Sequence, residues 1–320
     1  MPLPVIIAHA GYSPYLEFTL RQARAHVPAD GLFFLGDAQN DRFDFLTFVD
    51  GARPNLQRAA DRVARVYQHR STNTRAFELS AFQRWFRVQA LMEAEGLADA
   101  LVLDSDVLLY SPAAALAERF ASCEVALSTP HDASGWRWVS SGHSAYWTTA
   151  RLGECCAFIE RMYGQDEWRE RIDAKWHHHQ QAGVSGGVCD MTAFFLYQST
   201  LPPEAVTNTA GVVGGATLDH NVSRSINRVE GEYRMRGGTK AVEWEAGRPH
   251  VFNNALGQRV RFHTLHLQGP AKSACGRFYR GPAFNGQDAL AERLRRYYAT
   301  RAAAGRVKAA LWKGLARFHG

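Results

Sequence analysis

The sequence predicts an α/β fold built on a mixed, mostly parallel sheet that is flanked by helices. Short apolar runs rich in branched residues alternate with longer stretches at helical spacing, which favours parallel strands joined by helices. The runs are apolar throughout, as expected for strands that are covered on both faces. A chain of 320 residues, 46% of them hydrophobic, is long enough to bury such a core.

The predicted elements follow one another with short connections. Strands are placed where branched and apolar residues cluster between turn residues, and helices where apolar residues recur every three or four positions. In chain order we predict a strand at 3–8, a helix through 16–23, a strand at 31–35, loops around a short helix at 41–75, a helix at 77–94, strands at 100–103, 107–110, 125–128 and 140–147, a helix at 149–163, a charged loop at 165–181, a glycine-rich loop at 183–187, a helix at 191–198, and short strands with turns at 208–215 and 231–261.

The C-terminal residues differ from the rest in charge. Residues 285–320 hold six Arg and two Lys against two acids, which accounts for the whole net charge of +6. We therefore predict a main domain at 1–284 and a basic amphipathic helical tail at 285–320. The near-neutral main domain argues against a nucleic-acid groove. Trp312 and Phe318 on one face of the tail suit contact with a membrane surface through residues 288–320, and a solvated helix packed on the main domain is the alternative.

The cysteines and the N-terminus predict a cytoplasmic protein, peripheral to a membrane if the tail binds one. The five cysteines are odd in number and match no disulfide or zinc spacing. Residues 1–8 lack the basic and apolar regions of an export signal, and no apolar stretch is long enough to cross a bilayer.

Two carboxylates follow the buried strand at 100–103. Asp104 and Asp106 are separated by Ser105 in the segment LVLDSDVLLY. Two adjacent carboxylates in an apolar setting repel each other unless a cation lies between them or one of them takes up a proton. Mg²⁺ and Mn²⁺ prefer such oxygen ligands, and ligands of open α/β sheets gather at the carboxyl ends of strands. We therefore predict that Asp104 and Asp106 bind Mn²⁺ or Mg²⁺.

A second motif lies far along the chain, in HLQGPAK. His266 offers an imidazole for a metal, Gly269 allows close approach of a phosphate, and Lys272 supplies a positive charge for phosphate oxygens. Together with the acidic pair, these residues predict a clamp for a metal-bound diphosphate.

The two motifs resemble those of GT-A-fold glycosyltransferases, which have a Rossmann-like sheet and use nucleotide-sugar donors. HLQGPAK is similar to the His-x-x-Gly-x-x-Lys motif of the glycogenin-type retaining family, and the likeness extends loosely over residues 5–272. The resemblance implies that Asp104, Asp106 and His266 hold the metal and that Gly269 and Lys272 hold the diphosphate. It places the remaining donor contacts at Ala8, His9, Tyr12 and Asp37 near the nucleoside, with Ser105, Arg84 and Arg87 near the phosphates or sugar.

The resemblance implies transfer of a sugar, UDP-linked in most such enzymes, to a hydroxyl of a glycan, polysaccharide or lipid-linked acceptor. Asp190 is the remaining carboxylate of interest, because it follows the glycine-rich loop and opens an apolar helix. It is either a helix cap, a general base in an inverting enzyme, or a sugar-binding acid in a retaining one.

Two other functions remain open at this level. A sugar nucleotidyltransferase uses similar acids and metal, but the turn after the first strand, AHAGYSPYL, has only one glycine for a triphosphate. A non-catalytic sugar-binding protein of the same fold is the second. His177, His178 and His179 lie in the charged segment at 165–181, which we predict to be a loop facing solvent or an acceptor.

Overall fold

The computed structural model of the chain describes residues 3–129 and 132–316, with side chains as far as residue 301. The strands of this part are β1 (Val5–Ala8), β2 (Leu32–Gly36), β3 (Thr47–Asp50), β4 (Asp99–Asp104), β5 (Val107–Leu109), β6 (Val125–Ser128), β7 (Ser141–Thr148), β8 (Val206–Asn208), β9 (Ala216–Leu218), β10 (Met235–Arg236), β11 (Thr239–Lys240), β12 (Glu243–Glu245), β13 (Arg248–Asn253) and β14 (Gln258–His266). The α-helices are α1 (Leu16–Arg24), α2 (Pro54–Val66), α3 (Arg75–Ala94), α4 (Ala113–Phe120), α5 (Thr149–Gly164), α6 (Asp166–Gln181), α7 (Asp190–Gln198), α8 (Cys275–Phe278) and α9 (Gln287–Ala316).

The main sheet has the strand order β3-β2-β1-β4-β7-β6-β8. Its first four strands are parallel, β7 is antiparallel to both of its neighbours, and β8 is parallel to β6. The carboxyl ends of β1, β2 and β4 therefore lie at one edge of the sheet. The strand order reverses direction at β1, because β2 lies on one side of it and β4 on the other. Ligands of open α/β sheets bind at such an edge.

Helices cover both faces of the main sheet. Side chains of β1 alternate between the two halves of the core: Val5 and Ile7 pack with α1, whereas Ile6 packs with α2, α3 and α5. Because both faces are buried, the strands are apolar throughout. The prediction of a mixed, mostly parallel sheet flanked by helices is confirmed.

A second sheet extends from the end of β4 and has the order β12-β13-β14-β5, with β9 parallel to β14. The chain passes from β4 through two residues into β5, which pairs antiparallel with the last residues of β14. The second sheet thus begins where the main sheet's central strand ends, so residues from distant parts of the sequence meet there.

Two segments differ from the prediction. Residues 41–75 contain the strand β3 and the long helix α2, because the apolar side chains Leu56, Ala59 and Val63 keep helical spacing among many charges. Residues 165–181 form the helix α6 rather than a loop. Its buried face includes a lysine, Lys175, so the apolar period that predicts a helix is weak there.

The predicted tail begins as a packed helix. Leu294 is buried, and Leu290, Ala291 and Tyr298 pack against the core of the main domain. The helix α9 continues to residue 316 without a break at Gly305. The membrane-facing side chains that we predict, Trp312 and Phe318, lie outside the described residues, so membrane contact stays a prediction. None of the described helices has the length and apolar character of a membrane span.

The glycine-rich loop before α7 depends on a close backbone contact at Gly187. Its φ is +150°, and a Cβ atom there would lie 2.2 Å from the carbonyl oxygen of Arg70. We expect Gly187→Ala to lower the free energy of unfolding by about 3 kcal/mol, the upper end for added atoms in a packed site. Urea denaturation measures this. Gly183→Ala is the matched control, because its φ is also positive but no atom lies within 4 Å of its Cβ position. A similar loss in both variants would contradict the steric explanation.

Candidate metal and diphosphate site

The acidic pair lies at the carboxyl end of β4, at the centre of the main sheet. Asp104 is the last residue of β4 and pairs in register with Ala8 of β1. Asp106 follows two residues later, immediately before β5, and only 8% of its surface is exposed. The turn between the two sheets therefore holds both carboxylates at one edge.

The second motif reaches this edge through the pairing of β14 with β5. His266, the last residue of β14, is opposite Val107, and the amide of Leu267 donates to the carbonyl of Asp106 at 2.9 Å. The chain then turns through a short 3-10 helix, and Lys272 in this turn donates to Oδ2 of Asp106. Two stretches separated by about 160 positions in the sequence are thus brought into contact.

Asp104, Asp106 and His266 form a group that could hold a metal ion. One ligand atom from each lies within 4.8 Å of the others, and Nε2 of His266 is 3.4 Å from Oδ1 of Asp106. Burial opposes ionisation of Asp106, but His266 and Lys272 outweigh it and hold the pKa of this carboxyl well below its usual range. Burial lowers the pKa of His266, but the charge of Asp106 outweighs it and raises that pKa. The carboxylate at the centre of the group is therefore charged at neutral pH.

His266 is oriented by groups behind it. Its Nδ1 donates to the carbonyl of His220 at 2.7 Å, which leaves Nε2 directed at Asp106. Its backbone amide donates to Oδ2 of Asp219 at 3.0 Å, and Oδ1 of the same carboxylate is paired with Lys240 at 2.7 Å. Such partners fix the tautomer and direction of a metal-binding imidazole.

Asp219, His220 and Lys240 were not among the residues predicted for the site. A further imidazole, His143 of β7, stacks on His266 with ring centroids 4.4 Å apart and an angle of 11° between the planes. Burial keeps the pKa of His143 well below its usual value, so this ring packs as a neutral group. A strand was predicted at 140–147, but no role was predicted for its histidine.

Arg84 of α3 joins the acidic pair to Asp190. Its guanidinium donates to Oδ1 of Asp104 at 2.5 Å and to Oδ2 of Asp190 at 3.3 Å. Trp85 also donates to Oδ2 of Asp190, at 2.9 Å. The helix cap before α7 is Cys189, so Asp190 is the first helical residue. Oδ1 of Asp190 accepts from the amide of Met191 at 2.9 Å, and Oδ2 is the oxygen that bonds Arg84 and Trp85. The structure therefore brings Asp190 and Arg84 together with the candidate metal group.

His9 and Ser105 lie on the other side of the acidic pair. Oγ of Ser105 is 2.9 Å from Nδ1 of His9 and 3.1 Å from the hydroxyl of Tyr15. Asp37, after β2, accepts from the amide of Gly11 at 2.6 Å and so fixes the turn that follows β1. Ala8, His9, Asp37 and Ser105 therefore share the carboxyl edge of β1, β2 and β4.

The other predicted donor contacts are placed as follows. Tyr12 is half-buried, with the guanidinium of Arg42 4.5 Å from the centre of its ring. Arg87 donates to Gln57 of α2 at 3.1 Å and takes no part in the Arg84 network. Gly269 is exposed, with a φ of +58° at the start of the turn that carries Lys272. A positive φ suits glycine there.

The donor set fits a hard divalent cation. Two carboxylates and one imidazole are ligands that Mn²⁺ accepts, and Mg²⁺ binds through carboxylates and phosphate oxygens. Lys272 and Arg84 neutralise the same carboxylates, so positive charge is already favoured at this point. Nε of Arg84 is buried and has no hydrogen-bond partner in the described part of the chain. The chemistry of these residues therefore fits a divalent metal ion.

The fold and the site define an α/β protein with a candidate Asp-Asp-His metal group at the carboxyl edge of its sheet. No protein-family model matches the chain, and no curated protein sequence matches it.

Solved structures show a distant likeness. The chain is similar to mouse xyloside xylosyltransferase 1 in its apo form, with 11% identity and a TM-score of 0.41, over 64% of this chain and 84% of that one. It is also similar to the galactosyltransferase LgtC in complex with donor and acceptor sugar analogues, with 13% identity and a TM-score of 0.37, over 65% of this chain and 73% of that one. At these scores the likeness carries no conclusion about activity, which rests on the geometry of the site.

Proposed function

We propose that the chain is a metal-dependent glycosyltransferase of the GT-A type that moves a sugar from a nucleoside-diphosphate sugar to a hydroxyl acceptor. The observation that carries the proposal is the convergence of Asp104, Asp106, His266 and Lys272, which come from two distant stretches of the sequence. Three carboxylates and two permanent cations meet at the edge where an α/β sheet binds ligands. This charge pattern suits a ligand that brings both a cation and an anionic diphosphate.

In this proposal Asp104, Asp106 and His266 would hold Mn²⁺ or Mg²⁺, which would supply positive charge to the leaving diphosphate. Lys272, which lies beside Asp106, would add positive charge for a phosphate oxygen. Gly269 gives a phosphate close access to the backbone. His9, Tyr12, Asp37 and Ala8 contact the nucleoside, for which UDP is the first candidate.

Asp190 acts on the sugar or the acceptor. The guanidinium of Arg84 bonds both Asp190 and Asp104, so it connects the carboxylate of Asp190 to the candidate metal group. There it either accepts the proton of the acceptor hydroxyl, which gives inversion, or holds the transferred sugar, which accords with retention. The anomeric configuration of the product, measured by NMR, decides between these roles.

Titration calorimetry with UDP and GDP, each with Mn²⁺, Mg²⁺ or EDTA, tests the proposal. We expect one nucleotide to bind at least tenfold more tightly with metal, because the diphosphate supplies oxygen ligands to the ion. A panel of nucleotide sugars should then show slow metal-dependent donor hydrolysis. Metal-independent binding, or no hydrolysis of any donor, would contradict the proposal. Formation of a nucleotide sugar from a nucleoside triphosphate and a sugar phosphate would indicate a nucleotidyltransferase instead.

A further inference from the structure

Two tryptophans lie on the loop between β6 and β7, beside the candidate site. This loop leaves the main sheet at the carboxyl edge of β4, because β7 runs antiparallel to β4 and starts at Ser141. The amide of Ser140 donates to the carbonyl of Met191 at 3.0 Å, one residue after Asp190. The loop is therefore attached directly to the start of α7.

Trp136 and Trp138 form an aromatic surface together with α6. Their ring centroids are 4.7 Å apart, and His178 stacks on Trp136 at 5.9 Å. Trp138 stacks on Phe195 of α7 at 6.2 Å, with 5° between the planes. Both tryptophan residues are half-buried. We call Trp136, Trp138 and His178, with Arg171 5.4 Å from the centre of the Trp138 ring, the indole platform.

The backbone at Trp136 is strained. Its φ is 64°, in the left-handed region that large side chains rarely adopt. A glycine would relieve this strain, yet the chain has its largest side chain here. Strain of this kind is concentrated at ligand-binding and active sites.

Lys175 fixes the platform relative to Asp190. Its buried ammonium donates to the carbonyl of Trp138 at 3.1 Å and to the hydroxyl of Thr192 in α7 at 2.7 Å. No carboxylate is among these partners, so Lys175 serves to tie the loop to α7. A surface held in this way keeps a constant position beside the residue that we assign to the sugar or the acceptor.

We propose that the indole platform binds a sugar ring of a glycan acceptor. The assignment of this sugar as an acceptor rests on the proposed function. A pyranose has an apolar face of C–H groups and a rim of hydroxyls, so it packs on an indole face while its rim bonds polar neighbours. Arg171 and His178 supply N–H donors at the edge of the platform. A lipid chain needs a continuous apolar groove, whereas this surface is flanked by cationic and polar groups.

A printed array of defined glycans, with soluble tetrasaccharides of glucose, galactose and N-acetylglucosamine, tests this inference. We expect one glycan class to bind, and its Kd to rise at least tenfold in Trp136→Gly and in Trp138→Ala. The Kd of Trp136→Phe should stay within about threefold of that of the parent chain, because the variant keeps an aromatic ring. Trp136→Gly allows the loop to keep its backbone conformation, because glycine adopts this φ without strain. Trp244→Ala is the control for loss of a half-buried indole elsewhere, on β12.

The outcomes separate this inference from the proposed function. In Trp136→Gly, glycan binding should weaken far more than metal-dependent nucleotide binding, which reports on the donor site, whereas Trp244→Ala should leave donor hydrolysis unchanged. If no donor is hydrolysed but glycan binding still depends on Trp136, the proposed function fails and the platform stands. Glycan binding that is unchanged in both tryptophan variants, absence of any glycan binding, or binding of phosphatidylcholine vesicles or free uridine in its place would overturn the inference.

Discussion

Replacing Asp106 with Asn is expected to lower metal-dependent turnover of the nucleotide sugar by at least about a hundredfold. Loss of a residue that bonds a metal ligand costs up to about a hundredfold, and loss of a ligand itself should cost at least as much. Asp106 lies between His266 and Lys272, and all three side chains are largely buried. The variant keeps the shape of the side chain but removes the charge that faces both partners. A metal ion bound here would lose an anionic ligand, and the diphosphate would lose the charge of that ion. Donor hydrolysis with Mn²⁺ and the Kd for UDP in the presence of Mn²⁺ measure the effect.

Asp99→Asn is the matched control for this variant. Asp99 begins the same strand, β4, and accepts from the hydroxyl of Tyr146 at 2.9 Å at the opposite edge of the sheet. We expect Asp99→Asn to keep donor hydrolysis within about threefold, since it removes one carboxylate charge far along the strand from the ligand edge. Thermal unfolding of both variants shows whether the fold is kept. An Asp106→Asn protein that is folded and binds UDP with Mn²⁺ as tightly as the parent chain would exclude the proposed metal site.

The central strand and its acids could be predicted because both depend on local sequence. The run 100–103 is apolar and ends in two carboxylates, and this contrast alone indicates a buried strand that leads to a ligand. The meeting of Asp106 with Lys272 could be expected from the chemistry of the two motifs. The pairing of β5 with β14, which brings the two motifs together, was not predicted. Neither strand has a sequence pattern that identifies its partner.

Other features could not be predicted because they depend on contacts between distant residues. Arg84 and Asp190 are 106 positions apart in the sequence. The local sequence around Arg84 indicates a basic residue on a helix but does not indicate which carboxylate it bonds. The helix α6 was predicted to be a loop, since Lys175 occupies a buried position that an apolar residue would normally mark. Lys175 satisfies its ammonium with the carbonyl of Trp138 and the hydroxyl of Thr192, neither of which is near in sequence.

Lys240→Met is expected to lower the free energy of unfolding by about 3–5 kcal/mol, as is typical when one partner of a buried ion pair is removed. Both Lys240 and Asp219 have side chains that are 0% exposed. The ammonium also donates to the carbonyls of Asn221 and Ile226, at 2.7 Å and 3.2 Å. Without it, Asp219 remains as a buried carboxylate with no cation beside it, and the two carbonyls lose a donor. Urea denaturation at neutral pH measures the loss.

Because Asp219 also accepts from the amide of His266, the same variant connects stability with the site. We expect the Kd for UDP with Mn²⁺ to rise in Lys240→Met even where the protein is folded. The double variant Asp219→Asn with Lys240→Met should be less destabilised than the sum of the single variants, since it leaves no unpaired charge. Arg259→Met is the control: its pair with Glu245 on the second sheet is exposed, so we expect a loss of no more than about 1 kcal/mol. An equally small loss in Lys240→Met would mean that the buried pair neither stabilises the second sheet nor holds His266 in place.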